Sequence, residues 1–123
     1  MSSTMKVPRD QWQKFLEEFS RRHSGWLVKL ETHDVETGED VVSRFLPLRS
    51  IELDLEDQEN PRINVTVQSG NKEIKHILFK PFQVTLYLSK NGAEEAVRIE
   101  SVNTSTTIRF RIASMPESVD EVA

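Results

Sequence analysis

The fold is decided by WQKFLEEFSRRHSGWLVKLE, residues 12–31, because the spacing of the apolar residues changes within this stretch. In its first half they recur three or four positions apart, at Trp12, Phe15, Leu16 and Phe19. Such a stripe predicts an amphipathic helix. Gly25 is a typical residue just past the end of a helix. From there onward the apolar residues alternate with polar ones, which is the pattern of a half-buried strand.

This alternation continues through the rest of the chain. It is seen at 26–30, 51–55, 63–67, 82–88, 97–99 and 108–112. Short strands with one apolar face, separated by turn residues, are typical of an antiparallel meander. We therefore predict an α+β fold in which an N-terminal amphipathic helix packs on a curled antiparallel sheet of six or seven strands. A half-open barrel is the alternative shape of that sheet.

Length and composition limit the possible classes of protein. The 123 residues, 37% hydrophobic and 29% charged, predict one globular domain over 1–123, ordered from about 7 to 116, with loose ends. The chain has no cysteine, which excludes disulfides and thiolate nucleophiles. We see no secretory segment and no apolar stretch of membrane-spanning length, so we expect a cytoplasmic protein without membrane contact.

Strand registers follow from placing apolar residues opposite each other. Across the turn at 59–61, this rule pairs Leu55 with Ile63. Across the turn at 70–71, it pairs Val65 with His76. His76 is then expected on the inner face of its strand, and Ile77 and Phe79 on the outer face.

Three arginines form the first candidate site. Pairing Ile99 with Ile108 sets Arg98 directly opposite Arg109, with Arg111 nearby. Like charges opposite each other are unfavourable, so we expect an anion there, either a phosphate, a carboxylate ligand or an acidic partner segment. The alternative is that Glu100, the acidic strand 52–57 or the acids of the C-terminal tail neutralise the arginines. No aromatic ladder accompanies these basic residues, so nucleic-acid binding is not expected.

His76 is the second candidate. An inward-facing histidine could be a general base in a small pocket, or it could simply hydrogen bond to a backbone carbonyl or lie at the barrel rim. The chain has no phosphate-binding glycine loop, nucleophile elbow or zinc motif. The carboxylates of Glu52, Asp54 and Glu56 lie on one flat strand that cannot wrap around a cation, so we expect no metal and no cofactor. Nothing in the sequence favours an enzyme.

Ile77 and Phe79 form a candidate interface, because outward apolar side chains usually mark a contact surface. The alternative is that a chain end or the corner at 46–48 covers them. The function predicted first is a non-catalytic protein-interaction or regulatory module, which binds another protein or a second copy of itself. A small-ligand or anion-binding domain that uses the arginines is the alternative.

A longer pattern extends over the N-terminal region, V-P-R-x-x-W-x-x-F-x-x-x-F-S-R-x-H-x-G-W at residues 7–26. Together with Leu46-Pro47-Leu48 and the closing run at 115–120, it resembles a family of small single-domain bacterial proteins known only as a domain of unknown function. The resemblance covers about residues 7–120. It implies a stand-alone soluble bacterial domain, and it carries over no catalytic residue.

Overall fold

The computed structural model describes residues 3–102 and 104–114. A 3-10 turn at Arg9–Gln11 leads into the single helix of this part of the chain, α1, at Trp12–His23. The strands are β1 (Ser3–Lys6), β2 (Leu27–Asp34), β3 (Asp40–Val42), β4 (Leu46–Asp54), β5 (Arg62–Ser69), β6 (Lys72–Phe79), β7 (Pro81–Leu88), β8 (Glu94–Ser101) and β9 (Thr104–Ser114).

All strand pairs in the sheet are antiparallel, and the order is β1-β7-β8-β9-β2-β4-β5-β6, with β3 paired to β2. Two meanders, β4-β5-β6 and β7-β8-β9, are joined through β2. Because β1 and β6 lie at opposite ends of this order, the sheet does not close into a barrel. The predicted α+β class, with a helix on an antiparallel sheet, is confirmed.

The sheet is strongly curled. A single residue, Lys80, separates the end of β6 from the start of β7, although β6 is the last strand at one end of the strand order and β7 is second from the other end. Lys80 has a positive φ of 50°, which is uncommon for a residue with a side chain. The two halves of the sheet therefore approach each other at this point, which we call the Lys80 corner.

Within the described residues the sheet has nine strands rather than the predicted six or seven. Two of them, β1 and β3, are short, and all their residues are exposed. Neither strand has a buried face, so neither has the alternation by which strands are recognised in a sequence. β1 occupies part of the N-terminal segment that we expected to be loose. The other expected loose end, 117–123, lies outside the described residues.

The helix uses its predicted apolar stripe to cover the sheet. Trp12, Leu16 and Phe19 are buried, while Phe15 is half-buried. The ring of Phe19 stacks on that of Phe110 in β9, with the ring centroids 5.5 Å apart. The helix ends before Gly25, whose φ of 86° confirms the stop that the sequence predicts.

β4 changes neighbours along its length. It pairs with β2 only at its start, where Pro47 lies opposite Leu27, and it pairs with β5 from Leu48 onward, with an irregularity between Leu48 and Ser50. Where β4 has left β2, the helix covers its free edge. The Ser20 hydroxyl donates to the Ile51 carbonyl at 2.9 Å and accepts the Ile51 amide at 2.7 Å. Ser20 thus satisfies backbone groups that a neighbouring strand would otherwise bind.

The predicted register between β4 and β5 is wrong by two residues. Ile63 lies opposite Leu53 rather than Leu55, which is exposed in the following loop. The strand ends at Asp54, whose carboxylate accepts the Glu56 amide at 3.0 Å. Such local bonds from an aspartate compete with strand pairing, and apolar matching alone ignores them. The register between β5 and β6 is confirmed, with Val65 opposite His76.

Ser20→Ala is expected to reduce the free energy of unfolding by about 1–3 kcal/mol, because the buried amide of Ile51 loses its acceptor. Denaturant unfolding followed by circular dichroism measures this loss. Ser24→Ala is the control, since Ser24 is exposed just past the helix. An equal, small effect of both substitutions would show that the Ser20 contact contributes little.

Candidate functional site

The predicted arginines Arg98 and Arg109 lie on neighbouring strands, but not directly opposite each other. Arg98 faces Thr107, and Arg109 faces Ala96. The predicted register between β8 and β9 is wrong, because it was based on the assumption that no threonine lies in the core. Thr106 is buried opposite Ile99, the position that we assigned to Ile108.

The buried position of Thr106 has a structural explanation in β2. The hydroxyl groups of Thr106 and Thr32 lie 3.4 Å apart and can hydrogen bond to each other. A threonine whose hydroxyl has such a partner can be buried at low cost. As a result, β9 is shifted by two residues along β8 relative to the predicted register. Arg98 and Arg109 are then not directly opposite each other, and this opposition was the reason for expecting a bound anion.

Arg98 is held by three groups on the outer face of the sheet. Its Nε donates to Ser105 Oγ at 2.9 Å, and its Nη1 donates to the Tyr87 hydroxyl at 3.3 Å. Its Nη2 lies 3.5 Å from a carboxylate oxygen of Glu100. The hydrogen bond to Tyr87 is the main reason why the pKa of Arg98 is raised above its ordinary value. Arg98 is a fixed positive charge.

Arg109 also has a carboxylate of its own. Its Nε donates to the two oxygens of Glu31 at 3.3 and 3.2 Å, and Lys29 lies 3.4 Å from the same group. The counter-charge for the two arginines therefore comes from Glu100, as one alternative expected, and from Glu31, which sequence reasoning did not consider. Arg111 is exposed and forms no ion pair with a described residue.

A depression of about 410 Å³ opens beside Arg98 on the outer face, and we call it the Arg98 depression. Three of its lining residues lie in register on adjacent strands, with Asp40 in β3 opposite His33 in β2, and His33 opposite Ser105 in β9. The Nδ1 of His33 lies 2.7 Å from the Asp40 carboxylate. If Nδ1 donates there, Nε2 of the neutral ring is an acceptor, and it bonds to no described residue.

The chemistry of the Arg98 depression is mixed. It offers guanidinium and hydroxyl donors together with imidazole and carboxylate acceptors, which suits a small polar ligand better than a simple anion. The sequence could not indicate this set, because His33 and Ser105 are brought together only by the pairing of β2 with β9. Their separation along the chain matches no local motif.

His76, Ile77 and Phe79 lie on β6, at one edge of the sheet. His76 faces inward opposite Val65, as predicted, and is half-buried. It forms no hydrogen bond with a described residue, and burial lowers its pKa below the ordinary value of 6.5. Ile77 and Phe79 face outward and are 41% and 50% exposed.

One apolar residue near this edge was missed. Phe82 belongs to an alternating run that predicted an inward side chain, yet it is 60% exposed. An irregularity between Pro81 and Gln83 interrupts the pairing of β7 with β8 and turns Phe82 outward. The corner at 46–48 does not cover Ile77 and Phe79, because it pairs with the start of β2. We call β6, the Lys80 corner and Phe82 together the β6 edge.

A cluster of Arg22, His23 and Glu94 anchors the end of the helix. The Nη2 of Arg22 lies 3.1 Å from one Glu94 oxygen, and the Nε2 of His23 lies 3.4 Å from the other. The Nδ1 of His23 is 2.8 Å from the carbonyl of Phe19. The side chains of His23 and Glu94 are 2% and 7% exposed, so the cluster is closed to ligands. Its role is to fix α1 to β8.

Two further kinds of feature are absent from the described residues. No group of three or more metal-ligating side chains occurs in 3–102 and 104–114. In the same part of the chain no helix is long and apolar enough to cross a membrane.

The burial of His76 predicts how the stability depends on pH. Because its pKa is lowered in the folded protein, the unfolded chain binds a proton more readily. The contribution of His76 to the free energy of unfolding is fully present above pH 6.5. It is lost as the pH falls from 6.5 to the lowered pKa of the folded protein. Thermal unfolding between about pH 7.5 and 5 should show this loss, and His76→Gln should remove it. A His33→Gln control should retain it, and an unchanged profile in His76→Gln would contradict the prediction.

Comparison with known proteins gives one match. A family profile described as "Family of unknown function (DUF5335)" matches residues 3–121, nearly the whole chain. No curated protein matches the chain significantly, and neither does any solved structure.

Proposed function

The chain belongs to the DUF5335 family, whose function is unknown, and we propose that it is a non-catalytic protein-interaction module that binds its partner at the β6 edge. The observation that carries this proposal is the exposure of Ile77, Phe79 and Phe82 beside β6, a strand that has no neighbour on its outer side among the described residues. A bacterial cytoplasm is the setting we propose, in keeping with the absence of cysteine.

An edge strand offers two kinds of contact to another protein. About half of its backbone amides and carbonyls point away from the sheet and can pair with an added strand. The three exposed apolar side chains would lose water on contact, at about 25 cal/mol for each Å² of apolar surface buried. Backbone pairing and apolar burial together are the basis of strand addition, a common mode of peptide recognition.

Phe79→Asp is expected to weaken the native complex at least about tenfold, because a charge replaces apolar contact area. Its melting temperature should change little, since Phe79 is half exposed. Native mass spectrometry of protein isolated gently from its own cells detects the complex. Val41→Asp makes the same change at a residue that is 63% exposed in β3, and it should leave the complex intact. Loss of folding in Phe79→Asp, or equal effects of both variants, would contradict the proposal.

The second candidate function is the binding of a small polar ligand in the Arg98 depression. The alignment of Asp40, His33 and Ser105 beside a fixed guanidinium favours it. The arginine cluster predicted from the sequence supports it less well, because Arg98 and Arg109 each have a carboxylate partner.

Arg98→Gln should abolish any rise in melting temperature that inorganic phosphate or small zwitterions give to the native protein. The substitution removes the charge that would hold the ligand. Differential scanning fluorimetry measures this effect. Arg62→Gln is the matched control, because Arg62 also pairs with one carboxylate, that of Asp54, on another part of the sheet. Equal stabilisation of both variants, or none of the native protein, would remove this candidate.

A further inference from the structure

The β6 edge carries unneutralised positive charge. Lys72, Lys75 and Lys80 are all exposed, and none of them forms an ion pair with a described residue. The one acid of β6 is Glu73, and its carboxylate lies 3.5 Å from the guanidinium of Arg49 in β4, on the side away from the open edge. In a chain of net charge −4, this edge is locally basic.

Charge and apolar surface occupy different halves of the strand. On the outer face Lys75 precedes Ile77 and Phe79. The outer face of β6 is therefore basic near Lys75 and apolar near the Lys80 corner. On the inner face Ile74 remains 40% exposed, because no further strand of the described residues covers it. An added strand would cover both faces at once.

From this arrangement we propose that the partner is an extended acidic segment that adds to β6 as an antiparallel strand. This inference rests on the proposed function. The pairs within the sheet are antiparallel, and antiparallel pairing is the slightly more stable arrangement. The segment carries apolar residues opposite Phe79 and Ile77, and then an acidic residue opposite Lys75. Its pattern from the N-terminus is apolar, any, apolar, any, acidic.

A second copy of this chain fits the edge less well. In the antiparallel register that sets Lys75 opposite Glu73 of the other copy, Ile77 and Phe79 extend beyond the start of the other β6 at Lys72. In the register that sets Ile77 opposite itself, Lys75 lies opposite Phe79. No antiparallel register pairs Lys75 with Glu73 and also places Ile77 and Phe79 opposite apolar residues of the other β6. The lysines therefore discourage self-association, as they do on many edge strands, and accept an acidic partner.

His76 adds no positive charge to this edge at neutral pH. Its lowered pKa keeps the imidazole uncharged on the inner face, between Ile74 and Leu78. The other charged side chains along β6 are Lys72, Glu73 and Lys75, and the first and last of these attract acids.

The test uses the full chain and capped eight-residue peptides. The probe peptide is ITVTEVTE, and the charge-reversed peptide is ITVTKVTK. A third peptide has the probe sequence with alternate amides methylated, which prevents strand pairing but keeps the side chains. Titrations followed by amide chemical shifts in nuclear magnetic resonance report both the affinity and the place of binding.

We expect the probe to shift the amides of β6 and to bind about tenfold more tightly than the charge-reversed peptide. Methylation should abolish binding. Lys75→Glu should reverse the preference between the two charged peptides, whereas Lys14→Glu, at an exposed position on α1, should not.

Each opposite result identifies what fails. Equal binding of the two charged peptides overturns the acidic partner, and equal binding of the methylated peptide overturns strand addition. If no peptide binds but Phe79→Asp still destroys the native complex, the inference fails and the proposed function stands. If no peptide binds and Phe79→Asp retains the complex, both fail.

Discussion

The departure of β4 from β2 is the constraint on which the rest of the architecture depends. The two strands pair only around Leu27 and Pro47, after which β4 needs another neighbour for its backbone. The helix provides it through Ser20, and β4 is then free to pair with β5 on its other side. Because β4 separates from β2, the meander β4-β5-β6 turns away from the part of the sheet formed by β2 and the meander β7-β8-β9. This separation also leaves β6 as an open edge within the part of the chain that the structure describes, and this edge meets β7 at Lys80.

The sequence pattern predicted the helix and those strands that have one buried face and one exposed face. The helix stripe, the longer strands and the register of His76 against Val65 follow from alternation of apolar and polar residues. The pattern failed where a polar residue takes an inner position or an apolar one lies outside the sheet. Thr106 is buried because Thr32 can pair with its hydroxyl, and Leu55 is exposed because Asp54 ends its strand. Neither effect is visible in a list of apolar positions.

The candidate sites follow the same division. Ile77 and Phe79 could be assigned to an outer face because their strand pairs with its immediate neighbour in the chain. Glu100 was among the counter-charges expected for the arginines, but Glu31 was not, since it reaches Arg109 only through the pairing of distant strands. The same pairing creates the alignment of His33 with Ser105. Exposed residues can therefore be predicted from patterns of neighbouring residues, whereas the groups that surround them depend on which distant strands pair.

The pairing of β2 with β9 also limits when β2 can fold during protein synthesis. It runs from Val28 opposite Phe110 to Asp34 opposite Thr104, so the first long strand waits for the last one. At the usual rates of protein synthesis, this interval is roughly 4–15 s. Until then the ring of Phe19 lacks its stacking partner, and the inner face of β2 is open to solvent or to a chaperone. Contacts so distant along the chain also slow the folding of the finished protein.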